Sequence, residues 1–517
     1  MNRIHDNQFA TSRIRRVAAA GLASAGAGLV LARVMPHGPM TSGQAMAALG
    51  VALVVGGFAG WAARTRWAAP TTPLVFAAVF EITRVGTTGP SVGAIRLDSI
   101  FGVVAFIAGR GFDALVILAP MGIAGLWGAA LARRRTRGDS GGDRTGSRAG
   151  RAVRRAALAL ASAVVVVLVV GLARPPSTEP IAGPGGEPLA GSIAELVSVP
   201  IGGHDQAIML RGNDSHAPVL LFLEGGPGGT AVGLMRYAGQ GLEENFVVAT
   251  WDQRGTGKSA AALEPVATLT VDQAVRDTIE VSQYLRARFD QSKIYLVGSS
   301  WGTTLGVLAA AQRPDLFHAY VGTGQMVDQQ ETDKLMYAES VAYAQRVGDT
   351  AFAAQLATIG PPPYTDMLAY PVAIASNPDW DDYSPGPDQN NRAEYPTSLF
   401  VAEYTLTEQV RGMAAMVDTF AVLYPQLQEV NFRHDVPQLD LPVFVVEGAH
   451  EAPGRADLAR EWFAALSAPS KQLVTFDNSG HNPHLDEPGR FADFMADVVL
   501  AQTHPGGSPT TAQGAPS

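Results

Sequence analysis

Ser300 stands in Gly298-Ser299-Ser300-Trp301-Gly302, behind the apolar run Ile294-Tyr295-Leu296-Val297 and ahead of Thr303-Thr304-Leu305-Gly306-Val307-Leu308, which reads as a helix. A serine on a sharp turn between a strand and a helix, with glycines on both sides so that backbones can approach, has the local setting of a nucleophile. The pentapeptide alone is a weak signal, and a structural serine at a tight turn is the plainer reading that its flanking elements oppose. Serine at its ordinary pKa attacks poorly, so a base must take its proton and an acid must orient that base. His481, in Asn478-Ser479-Gly480-His481-Asn482-Pro483, follows a strand-like run, and the glycine before it frees the loop. His484 competes from deeper in the approach to the next helix. Glu451, in Gly448-Ala449-His450-Glu451 just past the run Val443 to Glu447, is placed to reach an imidazole. Asp328, after an earlier strand, remains a second candidate for the acid, whereas Glu447 lies within its strand and should point away. Acyl transfer also needs N–H donors aimed at the developing oxyanion. Trp301 offers one from its backbone, and Gly226, in Glu224-Gly225-Gly226-Pro227-Gly228-Gly229, offers the other if that loop borders the turn.

The elements that must hold these residues alternate in type. Apolar, β-branched runs at Leu196 to Ile201, Ala207 to Arg211, Pro218 to Leu223, Phe246 to Trp251, Lys293 to Val297, Ala319 to Gly322, Val443 to Glu447 and Gln472 to Phe476 predict eight strands. Helical patterns at about 271–289, 303–313, 456–466 and 489–501 fall between them, so the fold class is α/β with a mainly parallel eight-stranded sheet covered on both faces. Residues from about 327 to 435 form an insert, with helical stretches broken by Pro361-Pro362-Pro363 and Pro385-Gly386-Pro387, that suits a helical cap.

Taken in order, Gly225-Gly226-Pro227-Gly228, then Trp251-Asp252-Gln253-Arg254-Gly255-Thr256-Gly257-Lys258-Ser259, then Gly298-Ser299-Ser300-Trp301-Gly302, and finally Gly480-His481 resemble the signature series of the proline iminopeptidase group of α/β-hydrolases. The resemblance covers roughly residues 190–503. It implies a serine peptidase that removes an N-terminal residue, often proline, with Ser300, Glu451 and His481 in the triad positions. It also implies that Asp252 and Arg254 buttress the nearby loops, and that a cap carboxylate binds the substrate's free amine, for which Glu403 in Phe400-Val401-Ala402-Glu403-Tyr404 is the candidate. Two departures stand out. The acid is Glu451 where the family usually has Asp, and Glu224 replaces the usual His before the Gly-Gly-Pro-Gly run. Glu224 thus sets a second carboxylate at the substrate site, beside the oxyanion loop, where its charge opposes the transition state unless Arg254 or a similar cation compensates. Trp380 and Tyr383 could line a pocket, though aromatic residues in a cap more often simply pack.

Bulk composition adds a part that the resemblance leaves unexplained. Of 517 residues, 47% are hydrophobic and only 16% charged, with a net charge of −9. Residues 17–32, 45–63, 114–132 and 156–173 are apolar runs without a charge, each long enough or nearly so to cross a bilayer, and one further crossing is expected within 67–109. This makes an N-terminal all-α transmembrane domain, 1–174, of about five helices, then a Pro/Gly-rich linker, 175–189, the hydrolase part, 190–503, and a disordered tail, 504–517. Arg is concentrated in 133–155 and near the N-terminus, so both face the cytoplasm and an even number of crossings separates them. Everything after Arg174 is then extracytoplasmic, and the first helix is not a cleaved signal peptide. The basic segment flanks a membrane and argues against nucleic-acid binding. The chain has no Cys, which excludes a thiol nucleophile, disulfides and thiolate metal sites. Nothing in the sequence calls for a metal or an organic cofactor. The expected partners are a peptide or small ester substrate and the lipid bilayer. A carboxylic ester hydrolase on the same residues is the alternative, and an idle hydrolase module on a membrane sensor or transporter is a third reading; Glu81, Arg84, Asp98, Arg110 and Asp113 are the charges that such a role could use.

Overall fold

A computed structural model describes residues 2–504 apart from 37, 86–96, 98–99, 138–147, 366 and 368. The expected tail, Asp98 and the middle of the Arg-rich loop lie outside the described residues. The N-terminal part is all helix: α1 (Asn2–Val34), α2 (Ser42–Ala63), α3 (Ala68–Arg84), α4 (Ile100–Phe106), α5 (Phe112–Arg137) and α6 (Arg148–Ala173), with a π-turn at Ile107–Gly111 joining α4 to α5. Small residues set the packing. At Gly56, Gly60 and Gly128 an added Cβ would lie 2.0 Å from a carbonyl oxygen of the facing helix, so α2 and α5 touch backbone to backbone. Four stretches, Arg13–Val34, Ser42–Ala63, Gly102–Arg134 and Arg155–Ala173, are long and apolar enough to cross a membrane. A further helix, α3, has 17 residues, a length of about 25 Å at 1.5 Å per residue, and stands at the short end of what spans a bilayer.

The eight expected strands are the eight observed: β1 (Ile193–Ile201), β2 (His204–Gly212), β3 (Val219–Leu223), β4 (Val247–Asp252), β5 (Ile294–Ser299), β6 (Phe317–Thr323), β7 (Val443–Gly448) and β8 (Lys471–Phe476). They form one sheet in the order β1-β2-β4-β3-β5-β6-β7-β8, antiparallel at β1–β2–β4 and parallel from β4 onward. β3, β4, β5 and β7 are buried along their whole length, which is why their sequences read as continuous apolar runs and do not alternate. One face of the sheet packs Trp251, Phe317, Phe432 and Trp462, and the other Phe222, Phe246, Tyr295 and Phe444. The covering helices are α7 (Ala231–Ala238), α8 (Val271–Arg288) and α9 (Trp301–Gln312). Between β6 and β7 the chain leaves the sheet to build α10 (Gln329–Val347), α11 (Thr350–Ile359), the one-turn α12 (Tyr370–Ala373), α13 (Leu406–Leu427) and the one-turn α14 (Phe432–Asp435). α15 (Pro453–Ala465), α16 (Pro483–Asp486) and α17 (Pro488–Phe494) follow, and a π-helical stretch (Met495–Leu500) and a last short turn of helix, Ala501–Thr503, complete the order. Register aligns the parallel strand ends: Leu223 faces Gly298, Ser299 faces Thr323 and Gly448 faces Phe476. The loops after β3, β5, β6, β7 and β8 therefore gather at one edge, where open α/β sheets place their sites.

Candidate active site

Ser300 sits alone between β5 and α9 at φ 51, ψ −119, a conformation costly for a residue with a side chain and held here by its surroundings. Its N–H donates to the Thr323 carbonyl (3.0 Å), and its own carbonyl accepts from the Thr303 N–H (2.8 Å). Both flanking glycines are forced: a Cβ on Gly298 would lie 2.5 Å from the Gly302 oxygen, and one on Gly302 would lie 2.0 Å from the Leu223 oxygen. The second close approach presses the turn against the end of β3. Ser300 is half-buried, whereas its neighbour Ser299 is fully buried with an unpartnered Oγ.

That contact brings in the glycine-rich loop. A Cβ on Gly225 would fall 3.0 Å from the Ser300 Cβ and 3.6 Å from its Oγ, so the loop and the serine are in van der Waals contact. Gly226 and Gly228 hold φ values of 116 and 101 that favour glycine. Trp301 opens α9, and its backbone N–H meets no acceptor among the described residues, as expected of a helix N-terminus free to receive an oxyanion. Gln253 ties the two sides together: its Nε2 donates to the Glu224 carbonyl (2.9 Å) and its Oε1 accepts from the Trp301 indole (2.9 Å). Asp252 is a second anchor. Its buried carboxylate accepts from the N–H groups of Ala231 (2.9 Å), Val232 (3.2 Å) and Lys258 (2.8 Å) and from the Tyr404 hydroxyl (3.1 Å), capping α7 at the foot of the loop. Burial pushes Asp252 up to about 6, against the pull of the Lys258 and Val232 N–H groups.

On the other side, the loops after β7 and β8 are joined by the His450 N–H to Ser479 carbonyl bond (2.9 Å). Glu451 Oε2 meets His481 Nδ1 at 2.5 Å, while its Oε1 accepts from the Ala452 N–H (2.8 Å) and Arg455 (3.3 Å). Burial alone would raise this carboxyl, but the His481 and Arg455 charges outweigh it and hold Glu451 at about 2. The His481 ring lies over Gly324, where a Cβ would sit 2.7 Å from Cε1. Gly324 directly follows Thr323, whose carbonyl takes the Ser300 N–H, so the serine turn and the imidazole flank the same point of the chain. The competitors are elsewhere. His484 is buried against Phe222, with Thr323 Oγ1 at 3.3 Å from its Nδ1, and burial together with the His481 charge depresses it to about 3. Asp328 caps α10 and pairs with Arg433 (2.7 Å). Glu447 pairs with Arg460 (2.9 Å).

Two sequence expectations need correction. Glu403 is buried and its carboxylate is taken by Arg236 at 3.0 Å, so it does not stand free for a substrate amine; a solvent-facing helix charge and a buried ion-pair partner look the same in sequence. Arg254 does not compensate Glu224 either, because it is bound to the fully buried Asp277 (2.7 Å) and to the Gly202 carbonyl (3.0 Å). Glu224 is itself buried beneath the loop with Oε2 unpartnered, and burial, eased by the Gly225 N–H and reinforced by Asp252, pushes it up to about 7. Trp380 donates to Glu339 (3.2 Å), and Tyr383 stacks on His450, so both pack. The sequence reading missed two residues. Gln253 stood inside a recognised motif without a role, and Arg455 follows Glu451 by one helical turn, a spacing that signals an ion pair.

Comparison with known proteins identifies the fold family. Residues 218–488 match the alpha/beta hydrolase fold family. A probable aminopeptidase of Bacillus subtilis (strain 168) is 31% identical over 314 residues, 59% of this chain and 96% of that relative. A proline iminopeptidase of Heyndrickxia coagulans is 21% identical over 301 residues, 56% of this chain and 92% of its own length. Among solved structures, a proline iminopeptidase-related protein from Thermus thermophilus matches 60% of this chain and 98% of its own, at 20% identity and a TM-score of 0.44.

Proposed function

Because this chain belongs to the α/β-hydrolase fold family, we propose that it is a membrane-anchored serine aminopeptidase, working outside the cytoplasm on the N-termini of short peptides through Ser300, His481 and Glu451. The observation that carries this reading is the 2.5 Å His481–Glu451 contact beside the strained Ser300 turn. Ser300 Oγ attacks the carbonyl carbon of the N-terminal residue as His481 Nε2 takes the hydroxyl proton, and Glu451 steadies the imidazolium that forms. The N–H groups of Gly226 and Trp301 receive the oxyanion. His481 then gives its proton to the leaving amine as the C–N bond breaks, and water repeats the sequence to free the residue from its serine ester. Peptide bonds are favoured over esters by the relatives, one named a probable aminopeptidase and one a proline iminopeptidase.

The sidedness rests on charge and on helix ends. The ends of α1 and α3 and the junction of α4 with α5 line one cavity with Arg411 of α13, and the end of α6 meets Leu406 of the same helix. If α3 crosses with the four longer stretches, the Arg-rich loop before α6 lies on the opposite side from the hydrolase part, and the excess of Arg places that loop in the cytoplasm. The test is to give the purified full-length enzyme a prolyl arylamide, an alanyl arylamide and a short acyl ester in parallel. The proposal expects arylamide cleavage; turnover of the ester alone would replace it with an esterase. Protease added to intact cells should clip the hydrolase part, and complete shielding would reverse the orientation.

A further inference from the structure

The cap helix α13 is shared by two partners. Along one face Leu406, Val410, Ala414 and Val417 follow helical spacing and pack on the apolar bundle: the first two join Leu31, Leu49, Val116 and Leu168, and the last two meet Ala105. Gly171 of α6 leaves the space that Leu406 occupies, since a Cβ there would lie 2.9 Å from Leu406 Cδ2. Polar clamps reinforce the contact. Arg411, 6% exposed, donates to Asp113 Oδ1 of α5 at 2.8 Å and to the Gly38 carbonyl at 3.4 Å. The Ser42 and Thr407 hydroxyls are 2.9 Å apart, and the Gly38 N–H donates to Glu264 at 2.8 Å.

The other side of the same helix roofs the oxyanion loop. The Met416 backbone lies so close to Gly228 that a Cβ on that glycine would sit 2.7 Å from the Met416 oxygen. Thr419 donates to the Gly255 carbonyl (3.0 Å), and Glu408 accepts from Lys258 (3.1 Å), whose own N–H is bound to Asp252. Gly228 is two residues from Gly226, in a loop whose glycines give it little stiffness of its own. One tether would need one helix, yet α2, α4, α5 and α6 all reach α13.

We infer that the apolar bundle is part of the catalytic apparatus: clamped through Arg411 and Asp113, it holds α13 so that Met416 fixes the Gly226–Gly228 loop and with it the oxyanion donor. Arg411 and Asp113 are thus positioning residues for the reaction. The inference rests on the serine-hydrolase reading of Ser300, which a fluorophosphonate probe on the wild type tests separately. A displacement of about 1 Å in such a donor costs on the order of a hundredfold in rate.

The test uses the full-length chain in phospholipid nanodiscs with a short acyl ester, normalised to the serine that fluorophosphonate titrates. Arg411→Met and Asp113→Asn should each lower kcat per titrated serine by about 10- to 100-fold with little change in KM, and Arg411→Lys should recover most of it. Because the chain has no Cys, Ser42→Cys with Thr407→Cys can form a single disulfide between α2 and α13. In the Arg411→Met background, oxidising that pair should restore kcat and reducing it should remove the gain. Unchanged kcat per titrated serine in both Arg411→Met and Asp113→Asn would overturn the inference, and so would a cross-link that forms without recovery.

Discussion

Replacing Glu224 by glutamine removes an ionisation that folding opposes. Burial pushes this carboxyl from an ordinary 4.5 up to about 7, with Asp252 adding to the rise and the Gly225 N–H resisting it. Below pH 4.5 the folded and unfolded chains both hold the proton, and the stability is fully present. Between about 4.5 and 7 the unfolded chain has released its proton while the folded chain keeps it, so stability falls as pH rises; above about 7 the loss is complete. At ~1.36 kcal/mol for each pH unit the loss comes to about 3 kcal/mol, or on the order of 3–5 °C in Tm for a chain of this size. The assay is Tm of wild type and Glu224→Gln in the same detergent at pH 5 and pH 8. Asp333, pushed up to about 6 by burial, remains in both proteins and cancels, so the difference between the two curves reports Glu224 together with its coupling to Asp252. Parallel curves would refute the reasoning. Catalysis supplies an independent check: ionised Glu224 opposes the oxyanion at the neighbouring loop, so wild-type kcat should decline above about pH 7 and the variant should not share that decline.

Other outcomes follow from single contacts. Ser300→Ala should cut kcat on the order of 10⁶-fold with KM and folding intact, measured with an arylamide. Glu451→Gln, which leaves the imidazole without its charged partner, should cost about 10⁴-fold, and Glu451→Asp should recover part of it in the same assay. Gln253→Leu strands the Glu224 carbonyl and the Trp301 indole N–H, so a loss of about 2–5 kcal/mol in denaturant unfolding is expected, together with a lower kcat. Gly324→Ala drives a methyl into the His481 ring and should depress the rate of serine labelling in protein that still folds, as circular dichroism would show.

Local signals in the sequence were enough for the sheet and the turn at Ser300. Buried parallel strands are written as unbroken apolar runs, and the glycines of the serine turn are required by contacts of 2.0–2.5 Å that no other residue could make. The Gly before His481 and the position of Glu451 just past β7 likewise carried over into one constellation. Long-range commitments were not legible. Glu403 and Arg254 are each bound by residues far away in sequence, Arg236 and Asp277, and no spacing rule reveals such partners. The same holds for α13: its Leu406, Val410, Ala414 and Val417 stripe is an ordinary amphipathic pattern, and only the folded chain shows that the stripe faces the apolar bundle. Glu81, Arg110 and Asp113, suspicious charges in an apolar stretch, turn out to line a cavity of about 120 Å³ beneath that helix, Glu81 paired with Arg110 at 2.7 Å.

The central claim, that Ser300 is the nucleophile and that His481 with Glu451 activates it, is tested most directly by mapping where a fluorophosphonate reacts. The full-length enzyme is labelled, digested and read by mass spectrometry. The account predicts one adduct, on Ser300, formed orders of magnitude more slowly in Glu451→Gln and absent in Ser300→Ala. An adduct on another serine, or a wild-type Ser300 that stays unmodified, would contradict it.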